Sequence, residues 1–175
     1  MNNYKLYYDC KVYLPSPLYL IPLIICSLGI YLLVNLKNPY VIKKGILICF
    51  GAVFTIAGTV SLVVSIIGYA HMYKNVFLEY KKNNYRVVEG EIEHLKVLPF
   101  GGNGADQFTV NSIQFEIDGT LSPGYHKRAA KGGIIKSNGV RVKIYYINYL
   151  GTNYIMRIEA IDEDYNNNPI VLPPS

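Results

Sequence analysis

Two long stretches without a single charged residue decide most of what this chain can fold into. They cover residues 18–36 and 45–70. At 1.5 Å per helical residue they reach about 28 Å and about 39 Å, against a hydrocarbon core of ~30 Å. Pro22 falls near the start of the first run, where a helix tolerates proline best. A pair of buried helices in a water-soluble protein is the bland alternative, and two such runs in 175 residues speak against it. A cleaved leader fits no better. The first run follows a segment holding Asp9 and the break Pro15-Ser16-Pro17, and no small-x-small cleavage pattern comes after it. The expectation is a retained transmembrane hairpin at residues 17–84, with spans 18–36 and 45–70 and both termini on one side.

Charge agrees with this. The chain is 51% hydrophobic and only 17% charged, which excludes intrinsic disorder. Residues 1–70 carry Lys5, Lys11, Lys37, Lys43 and Lys44 against Asp9 alone, so the net charge of +5 belongs mostly to the flanks of the apolar runs. Lysines there set orientation and meet anionic lipid, and no nucleic-acid polymer is expected as a partner. Lys5, Lys11, Lys74, Lys81, Lys82 and Arg86 flank the spans outside the connecting loop, where only three lysines lie. That balance favours cytoplasmic termini, although the short loop is denser in charge. No ionisable side chain lies within either run, which argues against a transporter. Cys10, Cys26 and Cys49 form neither a disulfide framework nor a metal-binding spacing.

In the second run Gly51, Gly58, Ser61, Ser65 and Gly68 recur at steps of 7, 3, 4 and 3, placing small residues on one helical face. Such a face lets two helices approach closely in lipid. Packing against the first span is the plainer reading, and a homo-oligomer seam is the other. Tyr73, Val76, Phe77 and Tyr80 then continue a helical period, which predicts a stalk over residues 71–84. Tyr69 and Tyr73 suit the interfacial aromatic belt.

From residue 85 the period changes to two. Strands are predicted at 85–98, 107–110, 113–118, 140–148 and 153–161, the second and third joined by the two-residue turn Asn111-Ser112. Five short strands suggest a small, partly open barrel of SH3 or OB type spanning 85–161. The N-terminal segment 1–16 also alternates, with Tyr4, Leu6, Tyr8, Cys10, Val12 and Leu14 on one face. It is expected to pair with the C-terminal sheet and cover an edge. Residues 162–175, rich in Asn and Pro, read as a loose tail. The fold class is therefore α+β: a two-helix membrane hairpin followed by a small all-β domain.

Chemistry is sparse. His71, His94 and His126 stand far apart, and no nucleophile motif, phosphate loop or cofactor fingerprint is present. Glu89, Glu91 and Glu93 share one strand face, which a cation could use and solvent explains as well. No metal, cofactor or catalytic residue is assigned, and the chain reads as not an enzyme. The segment 122–136 is the candidate ligand site. It gathers Tyr125, His126, Lys127, Arg128, Lys131 and Lys136 without an acid, and Gly132-Gly133 could offer backbone N–H groups in a concave nest. An anionic ligand, a lipid headgroup or a protein partner would suit it, and an ordinary solvated loop is the alternative.

The series Val87-Val-Glu-Gly90, Phe108-Thr-Val-Asn-Ser-Ile-Gln-Phe115, Pro123-Gly124, Gly132-Gly133 and Val140-Arg-Val142 resembles a group of small uncharacterised bacterial proteins with a β domain behind apolar segments. The resemblance covers about 85–160 and carries no activity and no functional residues. It implies a bacterial membrane-anchored protein, and with the two spans the expectation is a multi-pass protein of the bacterial cell membrane. In those relatives the turn at 111–112 tends to be Asn-Gly. Two spans before a β barrel are also similar in architecture to the membrane effectors of anti-phage cyclic-oligonucleotide signalling. The expected function is a membrane-anchored, non-enzymatic binding module. The alternative is a membrane-perturbing effector or immunity protein that oligomerises through its second span.

Overall fold

The computed structural model describes residues 4–13, 20–35, 44–99, 102, 104–119 and 123–161. They belong to two compact units, Met1–Tyr13 with Met72–Ser175, and Leu14–His71.

The first unit is built on six antiparallel strands: β1 (Tyr4–Asp9), β2 (Arg86–Lys96), β3 (Asp106–Val110), β4 (Ile113–Ile117), β5 (Arg141–Tyr149) and β6 (Thr152–Ile161). Their order across the sheet is β1-β6-β5-β2-β3-β4. The expected pairing of the N-terminal segment is present, with Tyr4 opposite Ile161 and Asp9 opposite Arg157. Its alternation does not survive intact. A bulge between Leu6 and Tyr8 brings both Tyr7 and Tyr8 against the core and leaves Leu6 and Val12 exposed.

Both hairpin turns follow from local sterics. Asn111 and Ser112 take φ of 47° and 64°, and Leu150 and Gly151 take 51° and 81°. Positive φ at both central residues is what a two-residue hairpin needs to match strand twist. The closing pairs are Val110 with Ile113 and Tyr149 with Thr152.

The barrel expectation is corrected: the sheet is open. It curls enough for Asn153 of β6 to donate its side-chain N–H to the Gln114 carbonyl of β4 at 2.9 Å, but no ladder joins those strands. The core lies on the inner face. Phe108 and Phe115 stack at 5.4 Å, Tyr146 meets Phe115 edge-on at 5.3 Å, and Val110, Ile144 and Ile158 are fully buried. The same unit includes a π-helical turn, Tyr73–Phe77, and α3 (Leu78–Lys81). Val76, Phe77 and Tyr80 are buried there, and the Tyr80 hydroxyl donates to Asp9 at 2.6 Å.

The second unit holds α1 (Ile21–Val34) and most of α2 (Lys44–Met72). Here the two-span hairpin needs correction. Among the described residues one helical run, Lys44–Lys81, is long and apolar enough to cross a membrane. α1 has 14 residues, about 21 Å, and falls short of the ~30 Å core. The outer ends of the expected first span, its loop at 37–43 and the tail 162–175 lie outside the described residues. α1 and α2 pack antiparallel, with no room for a side chain at Gly29 or Gly58. A Cβ on Gly58 would sit 2.5 Å from the Cys26 backbone nitrogen, and one on Gly29 2.5 Å from that of Thr55.

Candidate functional site

The basic segment after β4 turns out to be divided between core and surface. Tyr125 is buried. Its backbone N–H donates to the Ile155 carbonyl at 2.7 Å, its ring meets Tyr8 edge-on at 5.1 Å, and its hydroxyl accepts a short hydrogen bond from the Ile134 N–H. Together with Ile135 it plugs the concave side of the sheet. Gly124 is required at φ +100°, because a Cβ there would lie 2.4 Å from the Ile155 carbonyl oxygen.

Arg128 also points inward, with its side chain 5% exposed. It pairs with Asp106, the inward residue at the start of β3, whose side chain is 2% exposed. The Nε–Oδ1 distance is 3.4 Å. The guanidinium donates to the carbonyls of Gly102 (3.0 Å), Leu98 (3.1 Å) and Pro99 (3.3 Å). Asp106 accepts the backbone N–H groups of Leu98 at 3.0 Å and Ala129 at 2.7 Å. A buried ion pair is tolerable only when its remaining donors and acceptors are also met, and here they are. Asp106 carried no signal of its own in the sequence. Its place one pleat before Phe108 on the inner face of β3 was the available clue.

The proposed amide nest does not form. The N–H groups of Gly132 and Gly133 are spent on the carbonyls of Ala129 (3.0 Å) and Arg128 (2.9 Å), closing the one-turn 3-10 helix Ala129–Lys131. A Cβ on Gly133 would come within 2.1 Å of the Lys127 carbonyl oxygen, so this glycine serves packing. His126 is half-buried, its Nδ1 3.0 Å from the Gly124 carbonyl. Lys127 and Lys131 are exposed, and the Lys127 ammonium lies beside Gly132. Lys136 is half-buried. Of the eight residues singled out, Lys127 and Lys131 are the exposed cations suited to an anion, with His126, next to Lys127, half-buried.

Glu89, Glu91 and Glu93 do share a face. They line a shallow depression with Gly90, Asn111 and Arg141. Glu89 accepts from the Tyr4 hydroxyl at 2.7 Å and lies 3.8 Å from the Arg141 guanidinium. Among the described residues no cluster of His, Cys, Asp and Glu has the geometry of a metal site. A second cleft, ≈ 220 Å³, opens where β4 and β6 converge and is lined by Glu116, Asp118, Pro123, Tyr125 and Thr152–Ile155. Burial, then the nearby Asp118 and Tyr149, pushes the Tyr154 phenol above its usual range.

The small-residue stripe resolves by position. Gly51 and Gly58 are buried against α1, facing Leu33 and Cys26. Ser61 and Gly68 are exposed, and Ser65 is half-buried. Two partners were missed by the sequence reading, Gly29 and Thr55. A single glycine in mid-run opposite a small-residue stripe was the signal that could have found the first.

No family model, no curated protein and no solved structure matches this chain.

Proposed function

We propose that this protein is a membrane-anchored, non-enzymatic β module that takes an anionic ligand on the loop carrying His126, Lys127 and Lys131. The anchoring half of the proposal rests on one observation. The helical run Lys44–Lys81 has only 11% of its most apolar window buried, and residues such as Ile56 (65% exposed) and Val64 (64%) stand clear of any protein cover. In water that surface would be an aggregation patch; in lipid it is a solvated one. α1, packed along α2 and equally apolar outside, shares the same surroundings. The lysine distribution supports a cytoplasmic β module in a bacterial cell membrane. The kinship with uncharacterised bacterial membrane-anchored proteins belongs to the same proposal and adds no site residue.

The rival, an effector that oligomerises through the second span, has less to work with. Gly51 and Gly58, the closest-approach positions of the stripe, are already taken by α1.

Two measurements test the reading. The full chain should stay with the membrane pellet after an alkaline carbonate wash, and release into the supernatant would overturn anchoring. In nanodiscs, a fluorescent trinitrophenyl nucleotide should bind the wild type and lose affinity in Lys127→Ala/Lys131→Ala. Equal binding by both, or none by the wild type, removes the loop as an anion site.

A further inference from the structure

Leu150 breaks two rules at once. It takes φ +51° at the tip of the β5–β6 hairpin, and it is 84% exposed, more than any other large hydrophobic among the described residues. The other non-glycine residues with positive φ are Asn83, His94, Asn111 and Ser112, all of them polar. Left-handed backbone is strained under a bulky apolar side chain, and asparagine or glycine relieves that strain at a turn. One exposed leucine is ordinary on a protein surface. A leucine held out of the fold by a strained turn points to a contact outside the fold.

The sequence around the tip has the matching composition. None of the residues from Ile144 to Met156 is charged, whereas the far halves of the same two strands carry Arg141, Lys143, Arg157 and Glu159. Tyr145, Tyr146, Tyr149 and Tyr154 fall within that uncharged stretch. Tyrosine without charge is what a segment meeting a bilayer interface uses. The place of the tip is fixed inside the β unit itself. The Tyr149 hydroxyl accepts from the Asn75 side-chain N–H at 3.5 Å, and Asn75 stands three residues after Met72, where the helical segment enters that unit. The turn therefore lies at the end of the β unit to which the apolar segment is attached.

We propose that the β5–β6 turn is a membrane-insertion tip, with Leu150 entering the acyl-chain side of the interface and Tyr149 flanking it at the headgroups. The inference rests on the anchoring proposed above, and chain continuity brings this end of the β unit to the bilayer that anchors the protein. The contact is apolar, so it needs no anionic lipid and no lysine. It gives the β unit a second point of attachment besides the chain itself, which restrains its tilt at the surface.

The chain contains no tryptophan, so a single introduced one reports its own surroundings. The test uses the full chain in nanodiscs of phosphatidylcholine brominated high on the acyl chain. Fluorescence of Leu150→Trp should be strongly quenched there, relative to discs of unbrominated lipid. Val97→Trp is the control, an exposed apolar site just past the far end of β2, the strand that starts opposite Tyr146. It should not be quenched. The quenching at 150 should persist at about 1 M salt, where screening falls to ~3 Å. A second pair removes the preference of tryptophan itself for the interface. Thr152→Trp, an exposed site beside the turn, should be quenched, and Thr152→Trp/Leu150→Asn should not. Losing a buried leucine side chain shifts such an equilibrium about tenfold or more. All these sites are exposed, and asparagine suits the turn, so the sheet should be left intact. Equal quenching at 150 and 97, none at 150, or quenching at 152 that ignores Leu150→Asn overturns the insertion tip alone. A chain that fails to co-elute with the discs overturns the anchoring and the tip with it.

Discussion

Arg128 and Lys127 are neighbours with the same charge and opposite fates. Arg128 is enclosed with Asp106 and ties three carbonyls of the segment before β3 to the turn after β4. Breaking that pair leaves a buried charge without its counterpart, so Asp106→Asn and Arg128→Met should each cost about 3–5 kcal/mol. Lys127→Ala, on the exposed side, should stay within about 0.5 kcal/mol. Melting of the near-ultraviolet tyrosine dichroism in detergent compares all three. The double variant Asp106→Leu/Arg128→Met should not recover. Hydrophobic replacements satisfy neither the Leu98 and Ala129 N–H groups nor the three carbonyls. A double variant as stable as wild type would show that the pair is not what organises this end of the sheet. Nothing in a basic, glycine-containing run distinguishes the inward cation from the outward ones. The distinction is made by Asp106, 22 positions earlier, and long-range pairing of that kind has no local trace. The same holds for Gly133, which reads as flexibility and is in fact the only residue that fits against the Lys127 carbonyl.

At the scale of elements the sequence was more legible, because strands and two-residue turns are decided within a few positions. Period-two patterning places β2 to β6 within one or two residues of their observed ends, and an Asn-Ser turn suffices where both residues can hold positive φ. The helical period over 73–80 was legible too, but not the π turn within it. The length of α1 was not legible either, since lack of charge is a weaker condition than helix. β1 was expected at the sheet, but its attachment to the helix was not. That attachment has a pH signature. Burial first, then the hydrogen bond and charge of Asp9, raise the Tyr80 phenol well above its ordinary value. Burial does the same for Tyr8. A raised folded-state value means that the neutral phenol is favoured by the fold. The stabilisation is complete below the unfolded value near 10 and is lost as pH climbs beyond it. Absorbance of tyrosinate should therefore show a late, cooperative rise that coincides with loss of β1. Tyr80→Phe should weaken the docking by about 1 kcal/mol and speed amide exchange in Tyr4–Asp9. Unchanged exchange there would mean that the sheet pairing with β6 holds β1 unaided. In the other unit, Thr59→Cys places a thiol where a hydroxyl now lies 3.6 Å from Cys26. With Cys10 and Cys49 replaced by Ser, oxidation should cross-link it within one chain, leaving a monomer on a denaturing gel. Dimers would mean that α2 faces a second copy there instead of α1.

The whole molecule is a β unit interrupted, in sequence, by an apolar insertion. The unit needs both flanks of that insertion. β1 pairs along β6, which would otherwise be an open edge, and Val76, Phe77 and Tyr80 supply buried apolar surface from the helical segment. The flanks also meet, since the Tyr13 and Phe77 rings lie 6.2 Å apart. Chain closure between residues 13 and 72 is thus a short-range matter, within reach of a Gly/Ser linker of about six residues at ~3.3 Å each. A chain with residues 14–71 replaced by such a linker should be water-soluble without detergent, carry the full sheet signal in circular dichroism, and melt cooperatively. The fragment 85–175, which the strand pattern alone would nominate as the domain, should do none of the three. It lacks β1 and the helical cover, exposing the β6 edge and much of what Val76, Phe77 and Tyr80 pack against. If 85–175 proves as soluble and as cooperative as the linked chain, the N-terminal strand and the helical turns are ornaments on a domain that needs neither. If the linked chain aggregates, the apolar insertion has a part in folding the sheet that its separate compactness conceals.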